Sequence, residues 1–175
     1  MRILESKRLI LRKLESCDLD AIHAMRNDPD VMRYIREVSL SREESAKWMD
    51  LISALWDTEG IGYCAIVEKE SGDIAGWCGT WKIPETGEIE VGYAVARSKW
   101  GNGYATEAAA ATVEHAFSEL GLERIVAVAY PENTASIKVM KKIGMKYVRT
   151  GEFYAKELVQ YAIGKDEWNA FRGND

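Results

Sequence analysis

The residues best suited to chemistry lie in Val95-Ala96-Arg97-Ser98-Lys99-Trp100-Gly101-Asn102-Gly103-Tyr104-Ala105-Thr106-Glu107-Ala108. Gly101 and Gly103 stand between an apolar strand-like run and a helical one. Glycine admits positive φ and lets another molecule approach the backbone closely. Successive amides can then converge on an anion at the start of the helix, where the dipole also favours negative charge. Such a turn suits a pyrophosphate and needs no metal. Two glycines can equally do no more than turn the chain, because short motifs often match by chance.

Two other phosphate loops compete for the same stretch. Gly101-x-Gly103-x-x-Thr106 resembles a dinucleotide fingerprint, with a strand before it and a helix and strand after it. Its third glycine is Thr106, the next strand (Arg124–Tyr130) ends without an acidic residue to hold a ribose, and only one βαβ unit is present. A Walker loop needs a Gly-Lys-Ser/Thr run that does not follow here.

Other reactive side chains point elsewhere. Cys17, Cys64 and Cys78 are odd in number, widely spaced and in no CxxC pair, so neither a disulfide framework nor a zinc site is expected. Cys64 and Cys78 read as small core hydrophobes. His23 and His115 sit in separate helical patterns without a ligand or triad partner at useful spacing. A net charge of −5, with Lys and Arg scattered, argues against nucleic-acid binding. No run approaches the ~18–20 apolar residues of a membrane span, and Met1–Arg8 lacks the apolar core of a signal peptide. A cytoplasmic protein is the expectation.

The elements that must position the turn can be read from periodicity. With 175 residues, 47% hydrophobic and 29% charged, one domain over 1–175 is expected. Arg8–Arg12 alternates as a first strand, and Ser16 reads as the cap of a helix to Arg26 that Asn27-Asp28-Pro29 ends. Ser41-Arg42-Glu43-Glu44 is a capping box for a second helix. Gly62–Glu68, Ile74–Trp81 and Glu88–Val95 form a meander joined by Ser71-Gly72-Asp73 and Pro84–Gly87. A helix Thr106–Leu120, strand Arg124–Tyr130, helix Ala135–Ile143, strands Lys146–Phe153 and Glu157–Ile163 and a short helix Asp166–Phe171 complete an α+β fold. The sheet is expected to be single, mixed and mostly antiparallel, with about seven strands flanked by helices.

The whole chain resembles the GNAT superfamily of N-acetyltransferases, in the branch related to ribosomal-protein N-terminal (alanine/serine) acetyltransferases. The superfamily's pyrophosphate signature, Gln/Arg-x-x-Gly-x-Gly/Ala, is matched by Ser98-Lys99-Trp100-Gly101-Asn102-Gly103 at both glycines, with Ser98 departing at the first position. Glu88-Ile89-Glu90-Val91-Gly92-Tyr93 resembles the branch's Glu-Ile-Gly-Tyr strand. Asn133-Thr134-Ala135-Ser136, then Lys142-Ile143-Gly144-Met145, resembles its Asn-x-x-Ser…Lys-x-Gly-Phe element. Ser6-Lys7-Arg8-Leu9-Ile10-Leu11-Arg12 and Tyr161–Trp168 match its two ends.

The resemblance implies central strands that splay, Glu88–Val95 from Arg124–Tyr130, with acetyl-coenzyme A between them. Its pantetheine arm would pair with the backbone of Ala94, Val95 and Ala96, its pyrophosphate would meet Trp100, Gly101, Asn102, Gly103, Tyr104, Ala105 and Thr106, and Asn133 would contact the arm. Glu90 is implied as the base for a primary amine, acting directly or through water, or else as an orienting group; Glu88 is a substitute. Thiolate departure benefits from a proton donor. The usual tyrosine position is Met140 here, so Ser136 is the candidate, though it could instead cap its helix. Tyr93, Tyr130 and Tyr154 are further donors, and a backbone amide near Val95 is a candidate oxyanion contact. Trp48, Trp56, Trp77 and Trp81 could line an acceptor pocket or belong to the core. The acceptor is expected to be a small amine or a protein N-terminus, and a homodimer is one assembly the resemblance allows. The alternative is a non-catalytic acyl-coenzyme A sensor.

Overall fold

Continuous burial along the central strands gives a sheet with a core on each face. In the computed structural model, which describes residues 2–35 and 40–173, eight strands form one sheet in the order β1-β2-β3-β4-β5-β6-β8-β7. These are β1 Arg2–Glu5, β2 Leu9–Lys13, β3 Tyr63–Glu68, β4 Ile74–Lys82, β5 Ile89–Val95, β6 Arg124–Ala129, β7 Lys146–Phe153 and β8 Lys156–Gly164. The expected seven strands are all present. The eighth, β1, escaped the sequence reading because four residues give too short an alternation to register.

Every neighbouring pair is antiparallel except β5 and β6, which run parallel and share a single bridging pair, Glu90 with Val126. Beyond that pair, β5 forms no further ladder with β6, as the splayed expectation required. The gap falls beside Val91–Val95.

Period two decides which helices meet which face. Cys64, Ile66 and Cys78 turn to the face covered by α4 (Tyr104–Ser118), α5 (Thr134–Lys142) and α6 (Lys165–Arg172), joined by Ala75, where a register shift between β3 and β4 interrupts the alternation. Ala65 and Trp77 turn to the other, against α1 (Leu19–Arg26), α2 (Pro29–Met32) and α3 (Arg42–Thr58). A third cluster under β6 and β8 centres on Phe153 and Ile83. Cys64 and Cys78 are buried in the core, and Cys17 is exposed. His23 Nδ1 lies 3.0 Å from Ser45 Oγ and ties α1 to α3.

Helix ends required three corrections. Ser16 caps nothing: Ser16–Asp18 is a 3-10 turn, Glu15 and Asp18 bond reciprocally, and α1 starts at Leu19. Asp18 is drawn instead to Arg12, which grips it with two bonds of 2.6 and 2.7 Å. Asp28-Pro29 ends α1 but also begins α2, because Asp28 accepts the Asp30 and Val31 amides and Pro29 fits the first helical position. The helix after the glycine turn begins at Tyr104, two residues earlier than expected, since Gly103 itself takes the capping place at φ 80°. The Ser41 capping box is present as read. Among the described residues, no helix is long and apolar enough to cross a membrane.

Candidate active site

The glycine turn presents unpaired amides to a groove. Gly101 and Gly103 both adopt φ 80°, and the first helical bond of α4 runs from the Glu107 amide to the Gly103 carbonyl. The amides of Tyr104, Ala105 and Thr106 therefore lack a helical acceptor, as at any helix start. Among the described residues no side chain caps them. A groove of about 590 Å³ opens onto Trp100, Gly101, Gly103, Tyr104, Ala105 and Thr106. Its walls continue along Ala94 and Val95 to Asn133 and Ser136, with Lys138 and Lys142 of α5 alongside. Two of the expected donor-site residues do not reach this wall. The Ala96 amide is bonded to the Ala75 carbonyl, and the Asn102 side chain folds onto the Lys99 carbonyl at 3.0 Å.

Alternation along a strand sends successive amides to opposite sides. Because the Ala96 amide points to β4, the Val95 amide faces the gap beside β6. The Val95 carbonyl accepts the Trp100 indole N–H at 2.7 Å and so ties the turn to β5. Lys99 is bonded to Glu68 at 2.5 Å, and the Tyr104 hydroxyl also donates to Glu68. Together they hold the Glu68 carboxyl down at about 2.

The motif at residues 6–12 also belongs to this turn, which its sequence did not reveal. Ser6 Oγ and the Arg8 amide both donate to Glu107 Oε1 at 2.7 Å, and Arg8 Nε donates to Oε2 at 2.7 Å. Glu107 lies in the first turn of α4. The first strands thereby fix the rotation of the helix whose amides face the groove.

A second cavity, of about 340 Å³, lies past the gap and shares Tyr93, Asn133 and Ser136 with the groove. Glu90 lines it and is only 7% exposed. Burial pushes its carboxyl up to about 7, opposed by hydrogen bonds from Tyr154 and the Val128 amide and assisted by the charge of Glu85. The Tyr154 hydroxyl donates to Glu90 Oε1 at 2.6 Å. Glu88, the substitute base, lies outside both cavities, bonded to Arg124 and to Gln160 Nε2.

Ser136 does not cap α5. Asn133 does, its side-chain oxygen accepting the Ser136 amide at 3.1 Å. Ser136 Oγ is left 3.0 Å from the Tyr93 hydroxyl, whose one proton goes to the Ser136 carbonyl when Ser136 Oγ is the donor between the two hydroxyls. Burial raises the Tyr93 phenol and keeps it protonated. Met140 is buried against the same cavity. Of the tryptophans expected near an acceptor pocket, Trp77 and Trp81 line the cavity, while Trp48 stacks behind them on Tyr63 and the Trp56 indole bonds the Tyr63 carbonyl. Tyr130 lines the cavity too, and its ring lies 5.9 Å from that of Tyr34. Among the described residues no cluster of three His, Cys, Asp or Glu could hold a metal.

Comparison with known proteins bears on the family and the fold. Residues 8–146 match the family model described as "Acetyltransferase (GNAT) domain". An uncharacterized N-acetyltransferase, p20, of Bacillus licheniformis is 34% identical over 150 residues, covering 83% of each chain. A GNAT-family acetyltransferase crystal structure from Bacillus anthracis superposes with a TM-score of 0.78 at 30% identity, covering 93% of this chain and 98% of that one. The ribosomal-protein-S5-alanine acetyltransferase of Vibrio fischeri superposes at 0.79 over 95% of this chain and 98% of its own. At 21% identity that last likeness carries the fold alone.

Proposed function

The chain belongs to the GNAT acetyltransferase family, and on that premise we propose that it transfers acetyl from acetyl-coenzyme A to a primary amine held against Glu90. The observation that carries the reading is the meeting of two cavities at Tyr93, Asn133 and Ser136. One ends on the unpaired amides of α4, and the other on a buried carboxyl poised near neutrality.

The residues present fit the donor. Three amides at a helix start suit a pyrophosphate, Lys138 and Lys142 add positive charge to the groove, and the gap beside β5 leaves room for an arm to pair as a strand would. Acetyl-coenzyme A supplies the activated thioester. Glu90 takes the proton from the amine, directly or through water, and its position near neutrality suits a base at cellular pH. Tyr154 holds the carboxylate oriented by its bond to Oε1. The Val95 amide, which faces the gap, would donate to the carbonyl oxygen. Ser136 Oγ, held 3.0 Å from the Tyr93 hydroxyl, can donate a hydrogen bond to a departing thiolate in place of the residue that Met140 cannot supply.

Incubation with acetyl-coenzyme A and an amine panel, with release of free thiol as readout, tests the reading. Absence of turnover by the folded protein across that panel would overturn it. Met140, standing at the usual tyrosine position, favours one rival, a non-catalytic acyl-coenzyme A sensor. The sensor predicts coenzyme A binding that survives Glu90→Gln with no turnover in either form.

A further inference from the structure

The second cavity has walls of unusual composition for the task. Tyr63 and Trp81 line it with rings parallel to within 6° and centroids 5.7 Å apart. Trp48 stacks behind Tyr63 at 6.1 Å and meets Trp77 edge-on at 5.7 Å. The Arg26 guanidinium lies 4.2 Å from the Trp48 ring centroid. Arg26, Trp48, Tyr63 and Trp81 thus form one continuous stack of planar groups from the helical layer to the cavity. A stack backed to that depth cannot fold inward, so the wall keeps its flat shape whether or not a molecule rests on it.

Charge is scarce in the same cavity. Among the described lining residues Glu90 is the single carboxylate and Lys156 the single cation. One ammonium can be met by Glu90. A second or third ammonium on the same molecule would find no further carboxylate among the described lining residues and would meet Lys156. Pairing one charge and leaving others desolvated is costly, whereas an apolar ring gains by leaving water and by stacking on aromatic faces.

We infer that the acceptor is a small primary monoamine with a flat apolar body, of the arylalkylamine type, seated with its ring on the Tyr63–Trp81 wall and its nitrogen toward Glu90. The inference rests on the acetyl-transfer reading and specifies its second substrate. Volume agrees, since about 340 Å³ accommodates a single ring with a short side chain.

The test is a comparison of kcat/KM for 2-phenylethylamine, tryptamine, spermidine and short peptides beginning with alanine or serine. Each is assayed on the intact protein by thiol release. The aryl amines are expected to exceed spermidine and the peptides by about a hundredfold. Trp81→Ala should lower kcat/KM for 2-phenylethylamine at least tenfold, mainly through KM, and Trp81→Phe should restore most of it. A melting curve for each variant separates a lost wall from a lost fold. Preference for spermidine or a peptide overturns this inference and leaves acetyl transfer standing. Failure to acetylate any amine overturns both.

Discussion

Tyr154 donates its hydroxyl proton to Glu90 Oε1 at 2.6 Å from a hairpin turn in which Tyr154 and Ala155 both adopt φ 54°. That turn joins β7 to β8 in two residues, a geometry that normally selects Asn-Gly. Left-handed backbone costs a side-chain-bearing residue about 1–2 kcal/mol. The chain tolerates two such residues where the outcome is a phenol aimed at the buried carboxyl. Tyr154→Phe keeps the ring and removes the bond. It should lower kcat about tenfold, the scale of a hydrogen bond to a charged group. Because that bond holds the Glu90 carboxyl down, its loss should also move the rising limb of the pH–rate profile above its wild-type position near pH 7. The groups facing Glu90 are Tyr63, Glu85, Tyr154 and the Val128 amide. An unmoved limb would refute a direct link between Tyr154 and the base.

Ala155→Gly isolates the strain from the chemistry. Glycine adopts φ 54° without penalty, so the variant should be more stable by about 1 kcal/mol. In a chain of this size that raises Tm by about 2–4 °C. Scanning calorimetry reads the shift, and kcat at saturation should stay within twofold.

Glu90 also predicts a pH dependence of stability. Its carboxyl stands at about 7 in the folded protein against an ordinary 4.5. The stability this group contributes is full below pH 4.5 and falls as pH rises toward 7, because ionisation inside the fold is opposed. The difference corresponds to about 3 kcal/mol. Glu90→Gln removes the titration, so its stability advantage over wild type should be small at pH 4.5 and approach that figure above pH 7. Urea unfolding at both pH values measures it. A gap independent of pH would show that burial does not set this group's titration. The same variant should lose at least a hundredfold in kcat/KM.

Gly101→Ala tests the donor site. A Cβ there would meet nothing within 4 Å inside the protein, so the penalty is conformational and arises from φ 80°. Coenzyme A affinity by calorimetric titration should fall about tenfold, with Tm reduced by only a few degrees. Unchanged affinity would place the pyrophosphate elsewhere.

What could be read in advance was what is local. Gly101 and Gly103 mark their turn because positive φ selects glycine, and the Ser41 box marks its helix because both partners lie within one turn. Asn133 and Ser136 were legible as a pair, but not that the amide side chain would cap the helix and leave the Ser136 hydroxyl to Tyr93. The Tyr154–Glu90 bond spans 64 positions and depends on a turn whose residues advertise no turn. Glu107 resembled any first-turn acid until Ser6 and Arg8 came to meet it. The flat wall of the second cavity arose from aromatic residues on β3, β4 and α3, which periodicity assigned to strands and a helix but could not stack.

The clasp of Ser6 and Arg8 on Glu107 joins residues about a hundred positions apart. On a ribosome the first half of the clasp is made early and must wait while the intervening meander emerges. Helix α4 can form as soon as its own residues are free, yet its rotation stays unset until it closes on a segment synthesised long before. The setting of the turn thus waits on a meeting of distant segments, although the turn itself is coded by a few consecutive residues.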